Sequence, residues 1–222
     1  MVDGTHYEIR GISFENFASF LFDREVTSES EIGTGKEYWY YSAEISFDPG
    51  EVVEHYIRLF SGPEFLLSRF SKRQLEEGFW AIQSPNLECG VLQLMSHEDL
   101  PFSVRENCIR SMFHLFERLF AHEPLETSVQ MWWDSLCYDW HCGNRSRAKG
   151  REDQLMQDVL FETLTGILEL DSVTCQEAAL HGLGHLHHPS TEQLVDTYLQ
   201  RRPGIDPQLK EYALEAARFG VR

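Results

Sequence analysis

Apolar residues recur every three to four positions along most of the chain, which is the spacing of amphipathic helices. This pattern predicts helices over residues 13–23, 48–61, 63–70, 71–85, 87–95, 101–121, 128–140, 155–170, 174–188, 191–200 and 207–219. The acidic, serine-rich residues 24–35 are predicted to form a mobile loop. Residues 37–47 are ambiguous, because their aromatic content suits a strand while the helical surroundings favour a helix. We expect a helix there, and hence an all-α fold.

Several helix starts carry their own chemical signal. Asp48-Pro49 and Asp206-Pro207 each place an N-cap aspartate before a proline at the first helical position. Ser71 and Gln74 have the spacing of a capping box. Ser13 precedes Phe14 as the N-cap of the first helix. In the second half of the chain, short connections between successive helices predict antiparallel helix pairs.

The most informative segment is Glu177–Pro189, EAALHGLGHLHHP. At about 100° per residue, Ala179 and the leucines of this segment form one apolar stripe. His181, His185 and His188 fall on the opposite side of the same helix. Gly182 and Gly184 lie on the flanks, where the missing side chain lets a neighbouring helix approach closely.

This pattern of small residues, leucines, glycines and a closing proline resembles the second helix of a HEAT repeat, especially the short variety first noticed in phycobilisome lyases. Residues 78–85, GFWAIQSP, align without a gap to residues 182–189, GLGHLHHP. The resemblance implies a right-handed superhelix, an α-α solenoid of HEAT-like (armadillo-like) antiparallel helix pairs. It would form one domain over residues 1–222, with pairs over 48–142 and 151–222, a polar loop at 143–150 and an irregular segment at 1–47.

The resemblance also implies a binding surface, because the second helix of each HEAT-like pair lines the concave face where ligands bind. His181, His185 and His188 would then be exposed there. The aligned positions in the earlier segment are Glu77, Ala81 and Ser84, so Glu77 would add a carboxylate. A surface of histidines and carboxylates suits a basic polypeptide.

Metal binding is the less favoured interpretation of the histidines. His181 and His185 are four residues apart, so both imidazoles can reach one ion. The sequence identifies no further ligands, and the carboxylate of an HExxH motif is missing. We therefore predict no metal and no cofactor.

Cys137, His141 and Cys142 could hold a metal or an activated thiol, but the residues around Cys137 are typical of a core cysteine.

The densest aromatic and acidic patch combines three tryptophans with two aspartates: Trp132, Trp133, Trp140, Asp134 and Asp139. Two adjacent tryptophans cannot both lie at the centre of one buried helical stripe, so one is available to a partner. Burial of both between two layers of helices is equally compatible with the sequence.

The basic residues at 145, 147, 149 and 151 are typical of a solvated loop, with phosphate binding or neutralisation of nearby acids as alternatives.

Charge narrows the possible partners. The chain carries 36 acids and 19 Lys or Arg, a formal net charge of −17. Nucleic acid is a disfavoured partner because its phosphates need positive charge.

The sequence has no membrane-length apolar run, which predicts a cytoplasmic protein. Five scattered cysteines predict free thiols.

Together these features predict a non-catalytic HEAT-like scaffold that binds a basic protein partner, for example an immunity-type or regulatory protein. The alternative is a metal-dependent enzyme or bilin-lyase-like protein that uses His181, His185 and His188. The sequence leaves the oligomeric state open.

Overall fold

The computed structural model describes residues 5–26, 38–125 and 127–221. Within these ranges the chain forms eleven α-helices and two short strands, which confirms the predicted helical class. The elements are β1 (His6–Glu8), α1 (Phe14–Phe22), β2 (Glu44–Ser46), α2 (Pro49–Ser61), α3 (Phe65–Arg69), α4 (Lys72–Gln83), α5 (Val91–Met95), α6 (Phe102–Leu115), α7 (Asp134–His141), α8 (Arg151–Leu168), α9 (Val173–Leu186), α10 (Thr191–Arg201) and α11 (Pro207–Ala217). A π-helical turn at Phe116–Phe120 continues α6.

The predicted caps are confirmed. The Asp48 carboxylate accepts a hydrogen bond from the Glu51 amide at the start of α2, and Asp206 accepts from two amides at the start of α11. The Ser71 hydroxyl and the Gln74 side chain complete the capping box of α4. Ser13 caps α1. Each cap satisfies amides that the helix itself leaves without acceptors.

The expected helix over residues 37–47 is wrong for the part that the structure describes. Trp39–Tyr41 form one turn of 3₁₀ helix, and β2 follows. β2 pairs in parallel with β1, with Tyr7 opposite Ile45. The helix prediction failed because this pairing joins residues far apart in sequence and satisfies their backbone groups without a helix. Residue 37, and residues 27–35 of the predicted loop, lie outside the described residues.

The chain divides into two compact units, Met1–Cys108 and Ile109–Arg222. In the first unit, α1 packs on α2 and α4, and α5 packs on α2 and α4. Its core is aromatic: the Phe17 ring contacts Tyr56 edge-on at 5.1 Å, and Phe22 contacts Phe79 at 5.0 Å. Gly78 faces the Phe22 ring so closely that a β-carbon would collide with it.

In the second unit, α9 is the central helix. It packs against α7, α8 and α11, and α10 packs on α11. Gly182 makes the closest approach: a β-carbon there would lie 2.7 Å from Trp133 Cβ and 2.9 Å from Leu164 Cδ2. The two glycines of α9 therefore permit close packing, as the sequence predicted.

The helix predicted over 128–140 begins later than expected. Residues 127–133 form turns, and the helix starts only at Asp134. In turns, two adjacent side chains need not point about 100° apart as they do in a helix. Trp132 and Trp133 are both buried, with 1% and 0% of their surface exposed. The expectation of an exposed tryptophan is therefore wrong.

None of the helices in the described ranges is long and apolar enough to cross a bilayer.

Candidate metal centre

Helix α9 carries two histidines on one side, one turn apart. Ser172 caps the helix by accepting a hydrogen bond from the Cys175 amide. His181 is 7% exposed and His185 is 4% exposed, because neighbouring helices cover the side opposite the apolar stripe as well. The prediction that these side chains line an open surface is wrong, although their role in binding a partner remains a prediction.

Asp134 is the residue that brings the two histidines together. It is the first residue of α7, which packs on α9. Its Oδ1 atom lies 2.8 Å from His181 Nε2 and 3.1 Å from His185 Nε2. Burial by itself would raise the pKa of Asp134, but the hydrogen bonds from His181 and His185 outweigh it and hold the pKa well below its usual range. The carboxylate is therefore ionised and can only accept hydrogen bonds.

These three residues, here called the metal triad, form the one group of three or more possible ligands that converges among the described residues. One ligand atom from each lies within 4.8 Å of the others. Metal–ligand bonds of about 2.1 Å at right angles put neighbouring ligand atoms about 3.0 Å apart, and tetrahedral angles put them about 3.4 Å apart. The two measured separations from Asp134, 2.8 and 3.1 Å, match the first value. Small shifts of the side chains would admit an ion.

Tyr212 on α11 holds the far side of the His181 ring. Its hydroxyl oxygen lies 2.7 Å from His181 Nδ1. Burial raises the pKa of Tyr212 to about 12, so the hydroxyl keeps its hydrogen at neutral pH. A ligand histidine commonly has such a partner on its second nitrogen, which fixes the orientation of the ring.

A cavity of about 280 Å³, here called the Tyr212 pocket, borders this site. Its lining residues are Gln130, Met131, Glu177, His181 and Tyr212. Glu177 lies one turn before His181 on α9, so one helix supplies both a pocket carboxylate and a candidate ligand of the metal triad. Burial is the main cause that raises the pKa of Glu177, with Asp206 adding to it.

His188 belongs to a different network. Its Nε2 atom lies 3.0 Å from Asp158 Oδ1, which also accepts a hydrogen bond from Arg147. The His188 ring stacks on Phe161 at 3.9 Å. Burial lowers the pKa of His188 in spite of the hydrogen bond with Asp158. The prediction that His188 extends the face of His181 and His185 as an exposed residue is wrong, since it is 7% exposed and faces α8.

A left-handed residue causes this separation. His187 caps the carboxyl end of α9 with φ of 54°. This residue turns the chain. The His187 ring stacks on Phe219 with 4.4 Å between the ring centres, and its Nε2 atom lies 3.1 Å from His141 Nδ1. Burial and the neighbouring His141 and His185 lower the pKa of His187.

The other predicted positions are not members of the metal triad. Glu77 on α4 in the first unit is 6% exposed, so the carboxylate expected on an open face is buried. Cys137 is buried, which raises the pKa of its thiol and disfavours the nucleophilic thiolate. Cys142 is exposed. Two of the basic loop residues neutralise acids of α8: Arg145 forms an ion pair with Asp153, and Arg147 forms one with Asp158.

A second concave feature lies in the first unit, between the end of α4 and the start of α6. This acidic cleft has a volume of about 660 Å³ and is lined by Glu88, Glu98 and Asp99 together with Gln93 and other polar residues. The three acids are exposed. Local sequence patterns do not indicate this cleft, because Glu88 lies ten residues before the adjacent acids Glu98 and Asp99 and joins them only in the fold.

The chain matches no protein-family model, and no curated protein or solved structure shows detectable similarity to it. The resemblance to HEAT repeats therefore stays a prediction.

Proposed function

We propose that the chain is a metal-dependent protein whose second unit binds one divalent transition-metal ion through Asp134, His181 and His185. The observation that carries the proposal is the convergence of one ionised carboxylate and two buried imidazoles on a single point. Carboxylate and imidazole together suit Zn²⁺ or Fe²⁺.

The number of ligands supports a reactive ion. Structural zinc sites generally have four protein ligands, whereas catalytic sites have three and keep a position for water or substrate. The Asp134 side chain is 31% exposed, so solvent reaches the triad from its side. An ion there would polarise a bound carbonyl or lower the pKa of a bound water, which is the chemistry of a metal-dependent hydrolase.

Elemental analysis tests the proposal directly. Protein purified without an affinity tag should contain, or take up in titration, one equivalent of zinc or iron. His185→Asn should lose this ion because it removes a ligand. The control, His188→Asn, alters an equally buried histidine three residues away and should keep the ion. Wild-type protein without a stoichiometric ion after incubation with Zn²⁺ and Fe²⁺, or equal binding by both variants, would contradict the proposal.

Binding of a basic protein is a second candidate function, which the acidic cleft favours. The net charge of −17 would steer a basic polypeptide towards the chain, and Glu88, Glu98 and Asp99 offer it carboxylates. The helix contacts of the second unit also support HEAT-like pairs, since α9 packs on its neighbour α8 and on the alternate helices α7 and α11.

A basic peptide provides the test of this second function. The wild-type chain should bind a labelled decalysine peptide in fluorescence anisotropy, with an affinity that falls as salt screens the charges. The triple variant Glu88→Gln, Glu98→Gln, Asp99→Asn should bind at least tenfold more weakly. The control is the triple variant Glu192→Gln, Asp196→Asn, Glu211→Gln, which removes the same charge from exposed sites in the second unit. Equal loss in both variants would show that net charge, and not the cleft, attracts the peptide.

A further inference from the structure

Tyr212 touches the metal triad and the Tyr212 pocket at the same time. Its hydroxyl contacts His181 Nδ1 at 2.7 Å, and Tyr212 lines the pocket together with Glu177. His181 is shared in the same way: its Nε2 atom lies 2.8 Å from Asp134 Oδ1, and the residue also lines the pocket. The hydrogen bond between His181 and Tyr212 therefore joins the metal triad to the pocket lining.

Without an ion, the direction of the hydrogen bonds is fixed by Asp134. The ionised carboxylate only accepts, so His181 Nε2 carries the hydrogen that it donates to Oδ1. In the neutral ring Nδ1 then has only a lone pair, and it accepts the hydrogen of the Tyr212 hydroxyl. The hydroxyl hydrogen is occupied in this state and is not offered to the pocket.

An ion on Nε2 reverses this arrangement. A metal-bound nitrogen carries no hydrogen, so the neutral ring places its hydrogen on Nδ1. Nδ1 then donates to the Tyr212 oxygen, and the hydroxyl hydrogen must rotate away from His181. Because Tyr212 is one of the residues that line the pocket, this hydrogen would be available as a donor to a ligand there.

We propose that metal binding reverses the hydrogen bond between His181 and Tyr212, and that the pocket then binds a carboxamide group. The carboxamide carbonyl accepts from Tyr212, and its NH₂ group donates to the Glu177 carboxylate. This inference rests on the proposed metal site. It makes Tyr212 a positioning residue for His181 as well as a contact for the ligand.

The hydrogen-bonding groups of the pocket distinguish a carboxamide from related groups. A carboxylate accepts from Tyr212 but has no hydrogen to donate to Glu177. An ammonium group donates to Glu177 but offers no acceptor to the Tyr212 hydrogen. A carboxamide has both an acceptor for Tyr212 and a donor for Glu177.

The first experiment measures the zinc affinity of two matched variants by calorimetry. Tyr212→Phe should weaken zinc binding by about tenfold to a hundredfold, since it removes the partner of a ligand histidine. Tyr198→Phe is the control: its hydroxyl donates to Gln176 at 2.8 Å, also on α9, and has no contact with the triad. Its zinc affinity should stay within twofold of wild type. Equal effects in both variants would overturn the positioning role.

Histidine nitrogen NMR reads the reversal itself. On addition of zinc, the hydrogen of His181 should move from Nε2 to Nδ1 in the wild-type protein. Benzamide, titrated as the probe ligand, should bind at least tenfold tighter to the zinc-loaded protein than to the zinc-free protein. The Tyr212→Phe variant, saturated with zinc, should lose this difference. Benzoate serves as the anionic comparison and should bind more weakly than benzamide.

The outcomes separate the two proposals. If the wild-type protein binds no zinc, the metal site and the reversal both fall. If zinc binds and the His181 hydrogen stays on Nε2, the reversal is overturned while the metal site stands. If the hydrogen moves to Nδ1 and benzamide affinity is the same with and without zinc, the link from the reversal to the pocket is overturned. Tighter binding of benzoate than of benzamide would overturn the carboxamide as the ligand class.

Discussion

Replacement of Asp134 by asparagine is expected to weaken zinc binding at least a hundredfold, which is about 2.7 kcal/mol of binding free energy. The amide keeps the size of the carboxylate but removes the negative charge that both imidazoles and a cation require. Asp134 is also the residue that holds His181 and His185 in convergence, with separations of 2.8 and 3.1 Å. Calorimetric titration with Zn²⁺ measures the effect.

Asp158→Asn is the matched control for this change. Asp158 also accepts from a buried histidine, at 3.0 Å from His188, but it takes no part in the triad. Its substitution should leave zinc affinity within twofold of wild type. Comparable circular dichroism spectra of both variants would show that neither unfolds. Retention of full affinity in Asp134→Asn would place the ion, if one binds, on other residues.

Gly182→Ala is expected to lower the free energy of unfolding by about 1–3 kcal/mol, the usual cost of overpacking. Alanine favours a helix by about 1 kcal/mol over glycine, but its β-carbon would lie 2.7 Å from Trp133 Cβ and 2.9 Å from Leu164 Cδ2. The Trp133 β-carbon is fixed to the backbone and cannot move aside cheaply. Thermal or urea unfolding measures the difference.

The same substitution should also disturb the metal triad. Gly182 directly follows His181, and Trp133 directly precedes Asp134. A β-carbon that pushes α9 away from Trp133 would therefore also separate His181 from Asp134. Gly204→Ala is the control, because a β-carbon there meets nothing within 4 Å. That variant should stay within about 0.5 kcal/mol of wild type. A Gly182→Ala protein as stable as wild type would contradict the close packing of α9.

Local chemistry made much of the fold predictable. The caps at Ser13, Asp48, Ser71 and Asp206 depend on residues within one turn of the helix start, and all four were recognised from the sequence. The sequence does not predict the pairing of β1 with β2, because the two strands have three residues each and the paired residues His6 and Glu44 are 38 positions apart. Neither segment is long enough to show a strand alternation.

The candidate site shows the same limit more sharply. The sequence indicated that His181 and His185 could share an ion but offered no third ligand. Asp134 lies 47 residues before His181, where the sequence shows it only as part of an aromatic and acidic patch. Its convergence depends on the packing of α7 against α9. The burial of the histidines was missed because an amphipathic pattern describes one apolar side and cannot show that polar neighbours cover the other.

The left-handed turn at His187 also limits how the chain can change in length. Because it lies between His185 and His188, it directs one histidine to Asp134 and the next to Asp158, with its own ring between His141 and Phe219. One residue added or removed at this turn would leave the composition almost unchanged but would rotate the downstream residues by about 100° if the helix continued. The run HLHH therefore depends on its length as well as on its residue types to direct His185 and His188 to their different partners.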